Sequence, residues 1–450
     1  MNPLIFRAYD IRGIADTDLN DDTVGRIARA LGSMAREAGA TTFAVARDAR
    51  LSGPRVRDAM VAGLVACGLE VIDLGAVPTP LLYFAVHYLE LGGGVMITGS
   101  HNPPDYNGFK MMIGAGTLHG DAIQTLKQRA TAQDFVTGEG SERAHDIVPA
   151  YLDRVVGDIQ PGPRRLKVVI DGGNGIAGPT AMALYERLGF DVVGQYIEPD
   201  GTFPNHHPDP TILETVEILA ASVREHDADL AIGFDGDGDR IGVVDHDGTV
   251  QWGDRLMILL SRALLAEEPG ATIVGEVKCS KTLYDDIEAR GGTGIMWKTG
   301  HSLIKAKMKS TGALLAGEMS GHIFYKHRWY GFDDALYAGA RLLEVLSTGE
   351  GSIGERLADV PTMYATEEIR AACPDDRKFD VVDRVVARLR DVGTVIDIDG
   401  ARVTFDDGWG LVRASNTSPK LVLRAEATTP ERRDEIRALI EGLVAEESAR

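Results

Sequence analysis

Two short stretches carry residue types that could do chemistry together. Thr98-Gly99-Ser100-His101-Asn102-Pro103-Pro104 sets a hydroxyl beside an imidazole in a segment that two prolines keep out of a helix. Asp235-Gly236-Asp237-Gly238-Asp239-Arg240 sets three carboxylates at alternate positions, with glycines that let the backbone curl. Carboxylates that converge in this way suit a hard divalent cation such as Mg²⁺ or Ca²⁺. An EF-hand is excluded, because the sixth loop position is Arg240 rather than glycine and the twelfth is His246 rather than glutamate. An acidic turn at the end of the apolar run Leu230 to Phe234 would crowd like charges with nothing to offset them, which favours the cation. Ser100, taken alone, is open between a proline-stiffened turn and a nucleophile.

Further polar loops follow apolar runs. Val277-Lys278-Cys279-Ser280 and Trp297-Lys298-Thr299-Gly300-His301-Ser302 are two of them. In Gly317-Glu318-Met319-Ser320-Gly321-His322 the residues Glu318, Ser320 and His322 alternate, so an extended loop would project them to one side, a row suited to sugar hydroxyls. Arg413-Ala414-Ser415-Asn416-Thr417-Ser418-Pro419 offers a guanidinium, hydroxyls and an amide that could wrap a phosphate. Helix-cap, turn and hairpin readings of these loops stay open. Arg7, Arg12 and Lys110 supply positive charge near Ser100. Asn107-Gly108, a strong turn pair, predicts a hairpin that returns Lys110 toward Ser100. Arg47-Asp48-Ala49-Arg50 suits surface salt bridges as well as a site. A competing signal is Gly173-Asn174-Gly175-Ile176-Ala177-Gly178, with Glu198 about twenty residues on, as a dinucleotide fingerprint requires. An NAD-dependent oxidoreductase would leave the serine and aspartate loops without a task, so a tight strand-to-helix turn is the preferred reading.

These loops need strands and helices to hold them, and the chain repeats one pattern three times. Strand 42–46, helix 55–67 and strand 70–74 recur as strand 166–170, helix 179–188 and strand 191–196. They recur again as strand 271–277, helix 281–289 and strand 294–297. Apolar strands alternating with amphipathic helices predict βαβ units and largely parallel sheets. The last region differs, with short strands at 394–398, 401–405, 409–412 and 421–427 and a closing helix at 430–448. The expected fold class is α/β: three similar mixed α/β domains, 1–146, 147–249 and 250–361, plus an α+β domain, 362–450, around a central cleft.

Composition narrows the function. The 450 residues are 44% hydrophobic and 25% charged, an ordinary globular balance. A net charge of −20, from 67 acidic against 47 basic residues, argues against nucleic acid or an anionic membrane as partner. No apolar run reaches the roughly 20 residues of a membrane span, and the start lacks a signal-peptide layout. Three scattered cysteines, Cys67, Cys279 and Cys373, fit a reducing cytoplasm. An anionic small substrate would need a local basic pocket. A serine facing a divalent cation, with arginine and lysine around it, favours phosphoryl transfer over acyl transfer, which would want a G-x-S-x-G elbow.

TGSHNPP, DGDGDR, GEMSGH and RASNTSP, in this order and spacing, resemble the α-D-phosphohexomutase superfamily over the whole chain. The opening Phe6-Arg7-Ala8-Tyr9-Asp10-Ile11-Arg12-Gly13 and Met319 resemble its phosphomannomutase/phosphoglucomutase branch rather than the phosphoglucosamine mutases. One departure is Ala49, where relatives often carry glycine. The resemblance implies an isomerase that interconverts hexose 6-phosphate and hexose 1-phosphate through phospho-Ser100 and a hexose 1,6-bisphosphate. It implies one Mg²⁺ on Asp235, Asp237, Asp239 and the phosphoserine, with Arg12, Lys110, His101 and Arg240 around the transferred group. It further implies that Glu318 and Ser320 bind sugar hydroxyls and that Tyr9, Lys278, His301 and His322 line the cleft. Arg413, Ser415, Asn416 and Thr417 would hold the second phosphate, in a cytoplasmic monomer. A metal-dependent sugar phosphatase and a phosphosugar-binding protein are the remaining rivals.

Overall fold

The structure is a computed structural model that describes residues 1–416 and 418–450. The predicted repeats are present as three mixed sheets. In the first, the parallel strands Thr42–Arg47, Glu70–Ala76 and Gly93–Ile97 continue into the antiparallel strands Tyr106–Ile113 and Ile11–Ile14. The second runs Val250–Gln251, Ile241–Asp245, Leu230–Phe234, Lys167–Asp171, Asp191–Gln195, and only its last three strands are parallel. The third orders Thr293–Trp297, Thr272–Glu276, Leu315–Gly317 and Ile323–Tyr325, with the last antiparallel. The fourth sheet is antiparallel throughout, with Lys420–Ala427 and Gly408–Ala414 at its centre and the helices Lys378–Leu389 and Pro430–Ser448 packed on it.

Each repeat therefore begins as a parallel βαβ unit and ends in an antiparallel strand. That reversal decides where the site lies. The turns 98–105 and 235–240 join a parallel strand to an antiparallel one, so both loops sit at the same kind of sheet end. Asn107 and Gly108 are not the turn. They lie within Tyr106–Ile113 and pair with Gly13 and Arg12, because a close approach of the Ile11 carbonyl, 2.1 Å from any added Cβ, requires glycine at 108. The hairpin nonetheless forms, and Lys110 pairs with Met96.

One apolar core runs through the first three repeats, from Ala44 and Phe84 through Ile170 and Ile232 to Leu315 and Tyr337. Phe84, Trp329 and Tyr337 stack in sequence at 5.9 and 4.2 Å, with Tyr151 edge-on to the first two. Asp334 lies beneath this stack and accepts hydrogen bonds from Tyr151 Oη (2.9 Å), Trp329 Nε1 (3.2 Å) and the Tyr337 amide (2.9 Å). Burial pushes its carboxyl up to about 7. A folded-state pKa above the unfolded value stabilises below the unfolded pKa, and this contribution is lost as pH rises through about 7. Asp334→Asn removes the titration. Between pH 6 and 8 the parent's Tm should fall more than the variant's; equal slopes in a thermal melt series would refute the assignment.

Candidate active site

The four regions enclose a cavity of about 990 Å³ lined by Arg12, Ser100, Lys110, Arg240, Lys278, Glu318 and Arg413, among others. Ser100 sits in the left-handed region, at φ 49°. Its Oγ donates to Asp235 Oδ2 (2.9 Å) and lies 3.1 Å from His101 Nδ1. Desolvation and the charges of Arg240, Arg12 and Lys110 hold His101 well below the usual imidazole range, so it is neutral at pH 7. Arg12 is anchored to the same loop, Nη1 donating to Asn102 Oδ1 (2.9 Å) and Nη2 to Asp10 (2.6 Å).

Asp235, Asp237 and Asp239 are fully buried, with one oxygen of each inside a 4.8 Å cluster. Asp235 Oδ1 accepts the amides of Gly238, Asp239 and Arg240, each at 3.1 Å, which curls the loop around it. Asp237 Oδ2 accepts from Thr79 (2.6 Å), Thr98 (3.1 Å) and Lys110 Nζ (2.6 Å), and Lys110 also reaches Asp239. Burial and mutual repulsion push Asp235 and Asp239 up. Asp237 is as deeply buried, but the Lys110 ammonium and its hydrogen bonds outweigh this and hold its carboxyl low. The same carboxylates counter burial and hold Lys110 above the ordinary lysine range. Asp237 Oδ1 and Asp239 Oδ1 are buried with no hydrogen-bond partner among the described residues. Orphaned oxygens on two of three adjoining carboxylates fit a divalent cation, so this cluster can hold a metal.

Asp239, His322 and Asp333 form a second close group. Arg240 Nε donates to His322 Nε2 (3.0 Å), which assigns the ring proton to Nδ1, 3.3 Å from Asp333 Oδ2 and 3.5 Å from Asp239 Oδ1. A protonated Nδ1 has no lone pair to give a metal, and here it faces the two carboxylates without a hydrogen bond among the described residues. Asp333 is held well below the usual carboxylate range because the Lys305 ammonium, first, and then His322 outweigh its burial. His301 is neutral through burial and the nearby Lys305, and neither ring nitrogen has a hydrogen-bond partner among the described residues. Tyr9 packs edge-on against it at 5.3 Å, its own hydroxyl pushed up to about 12 by burial.

Glu318, Ser320 and His322 are not on an extended loop. Residues 318–322 close a tight hairpin, the Glu318 amide bonding the His322 carbonyl (2.9 Å), because Gly321 takes φ 88° against the Ile241 backbone. Glu318 still faces the cavity, accepting from the Gly300 amide (2.6 Å) and Ser320 Oγ (3.1 Å). Lys278 reaches across to Glu368 (3.2 Å) of the last domain. Burial alone would lower it, but Glu276, Glu368 and Glu318 hold its ammonium up, while Lys278 and Arg370 hold Glu368 down to about 2 despite its burial. Arg413 Nε donates to Asp399 (2.9 Å), Ser415 Oγ is 2.8 Å from Ser418 Oγ, and Ser415 and Asn416 border the cavity. Arg7 also lines it, 3.5 Å from Asp375. Thr417 lies outside the described residues.

The dinucleotide-like glycines have a packing role. A Cβ on Gly175 would stand 2.9 Å from Gly236 Cα, and the Ile176 amide donates to the Gly236 carbonyl (3.1 Å), so this turn buttresses the aspartate loop. Glu198 is exposed, and its carbonyl accepts from Asn174. Sequence reading missed Glu276, whose carboxylate gathers the Lys278 and Met319 amides and Thr299 Oγ1 (3.0, 3.2 and 2.6 Å). It also missed Lys378, buried under the last loop and donating to the Ser415 (2.5 Å) and Ser418 (3.2 Å) carbonyls. An acidic residue ending an apolar strand was the available signal for Glu276; Lys378 had none. Ala49 keeps a negative φ and fits without strain.

Four domain models of phosphoglucomutase/phosphomannomutase match the chain: α/β/α domain I at residues 3–137, II at 149–248, III at 252–364 and the C-terminal domain at 368–443. The chain is 48% identical to the phosphomannomutase/phosphoglucomutase of Pseudomonas aeruginosa over 97% of its length and 94% of the relative's. It is 47% identical to a phosphoglucomutase of Neisseria gonorrhoeae, covering 94% and 93%. A crystal structure of a phosphoglucomutase/phosphomannomutase family protein from Burkholderia thailandensis superposes with a TM-score of 0.94 at 43% identity, covering 99% of this chain and 98% of that one. Among the described residues, no helix is long and apolar enough to cross a membrane. Its four loops, its sheets and its sequence all place the chain in the phosphoglucomutase/phosphomannomutase family.

Proposed function

We propose that the protein interconverts the 1- and 6-phosphates of mannose and glucose, with Ser100 as the phosphoryl carrier. The observation that carries this reading is Ser100 Oγ held on Asp235 at 2.9 Å, at the wall of a cavity that also exposes Arg12, Lys110 and Arg240. The phosphoserine P–O bond breaks as a sugar hydroxyl forms its own bond to phosphorus; the hydroxyl proton passes to a base, and the departing Ser100 Oγ takes up a proton. The resulting 1,6-bisphosphate returns its other phosphoryl group to Ser100, which loses its proton in turn. Lys110, held charged by Asp237 and Asp239, acts on the transferred group as a cation. The neutral imidazoles of His101, beside Ser100 Oγ, and His301 are the groups suited to accept protons. Mg²⁺ held by Asp235, Asp237, Asp239 and the phosphoserine would neutralise charge on the phosphoryl oxygens.

Glu318 and Ser320 bind sugar hydroxyls, Tyr9, Lys278 and His322 line the cleft, and Arg413, Ser415, Asn416 and Thr417 hold the non-reacting phosphate. Each of the spans 1–146, 147–249, 250–361 and 362–450 thus contributes one loop, in a monomeric cytoplasmic enzyme with no nucleic-acid or membrane partner. Incubation with glucose 1,6-bisphosphate should add one phosphate to Ser100 by intact mass and peptide mapping, with almost no inorganic phosphate released. Steady phosphate release would mark a phosphatase, and an unmodified Ser100 would refute the carrier role.

A further inference from the structure

We propose that Arg50 is a positioning residue for phosphoryl transfer, fixing the serine loop in the one shape that aims Ser100 Oγ at the aspartate cluster. The inference rests on Ser100 as phosphate carrier. Arg50 is completely buried, and all five donors of its guanidinium are taken. Nε donates to Asp48 Oδ2 (3.2 Å); Nη1 donates to the carbonyls of Pro103 (2.5 Å) and Tyr106 (2.8 Å); Nη2 donates to those of Ser100 (2.8 Å) and Asn102 (2.6 Å). Four carbonyls of one seven-residue turn converge on one cation.

Asp48 completes the clamp from the other side. Its carboxylate accepts from Thr98 Oγ1 (2.8 Å), the Gly99 amide (3.2 Å) and the Arg50 amide (3.0 Å), and Thr98 Oγ1 accepts the Ser100 amide (2.8 Å). The fit is tight, since a Cβ on Gly99 would fall 2.4 Å from Arg50 Cζ. The same side chain also meets the second domain, its guanidinium lying 5.4 Å from the centre of the Phe203 ring, while Gly201 abuts Ala49 and Arg50 backbone. Ser100 takes φ 49°, a conformation that a non-glycine residue keeps only where its surroundings impose it. Arg50 does not itself line the cavity, and its guanidinium donors end on Asp48 and on that turn, so it acts through Ser100 and not on the sugar.

A positioning role separates kcat from KM, because the sugar and phosphate contacts lie elsewhere. Arg50→Met should lower kcat about 100-fold or more, and Arg50→Lys, which presents at most three donors to five acceptors, about tenfold or more, with KM within threefold of the parent. Phosphorylation of Ser100 by glucose 1,6-bisphosphate, followed by intact mass, should slow by the same factor yet reach one phosphate per chain. A larger share of turnovers should end in inorganic phosphate, since a misaimed phosphoserine is left open to water. Arg50→Lys keeps the buried charge, so it carries the test if Arg50→Met does not fold. Unchanged kcat and phosphorylation rate in Arg50→Lys, or a KM that rises in step with the loss of kcat, would overturn the proposal. A parent protein that never takes phosphate on Ser100 would instead overturn the carrier reading beneath it.

Discussion

Ser100→Ala should abolish interconversion of mannose and glucose phosphates, a loss of about 10⁴-fold or more, and leave the fold intact. Among the described residues, the side chain makes hydrogen-bond-range contacts only to Asp235 and His101, whereas the backbone around it is held by Arg50, Thr98 and Asp48. The left-handed backbone at φ 49° costs alanine no more than serine, so the variant inherits the strain without adding to it. Activity within tenfold of the parent, measured by ³¹P NMR of glucose 1-phosphate conversion, would end the reading of Ser100 as carrier.

Asp237→Asn carries the second large effect, on both stability and turnover. Asp237 Oδ2 takes hydrogen bonds from Thr79 and Thr98 of the first repeat and from Lys110, all fully buried or nearly so. Asparagine keeps the shape but removes one of the two carboxylates that offset the Lys110 ammonium; Asp239 remains, so the cost should fall below the roughly 3–5 kcal/mol of a buried pair broken outright. Two carboxylates remain for the cation. Activity should drop about 10³-fold or more, Tm should fall without added metal, and the Mg²⁺-dependent rise in the parent's Tm should vanish. A Tm that still climbs with Mg²⁺ as in the parent would place the cation elsewhere.

How much of this was legible in the chain depended on whether a residue's partner was local. The aspartate loop was readable because its carboxylates, its glycines and the strand before it are contiguous, and the curl is closed by its own amides. The three repeats were readable because periodicity reports burial along one segment. Asn107-Gly108 misled because the pair has the composition of a turn, while the close pass of the Ile11 carbonyl is invisible until the sheet forms. The 318–322 hairpin was missed for the same reason, since alternation fits an extended loop equally well. Arg50 was noted but left open between a surface salt bridge and a site; its four carbonyl partners lie about fifty residues on, and carbonyls leave no trace in sequence. The second glycine-rich turn met the dinucleotide pattern although its demand for glycine comes from the backbone of Gly236.

The apolar core that runs unbroken from Ala44 to Tyr337 also bears on how such a protein can change over time. The three repeats look in sequence like interchangeable modules, and each keeps a core of its own, but part of each interior packs into one shared body lined by rings from all three. A whole repeat could not be exchanged without remaking surfaces on the other two. The last domain has its own core, closed by Val385, Leu423 and Ile440, and joins its neighbour through polar contacts such as Arg402 to the Val277 carbonyl and through a small apolar cluster of Val277, Trp409 and Leu411. Change is thus least disruptive in short loops rewritten in place, or in the terminal domain with the small apolar seam that joins it to its neighbour.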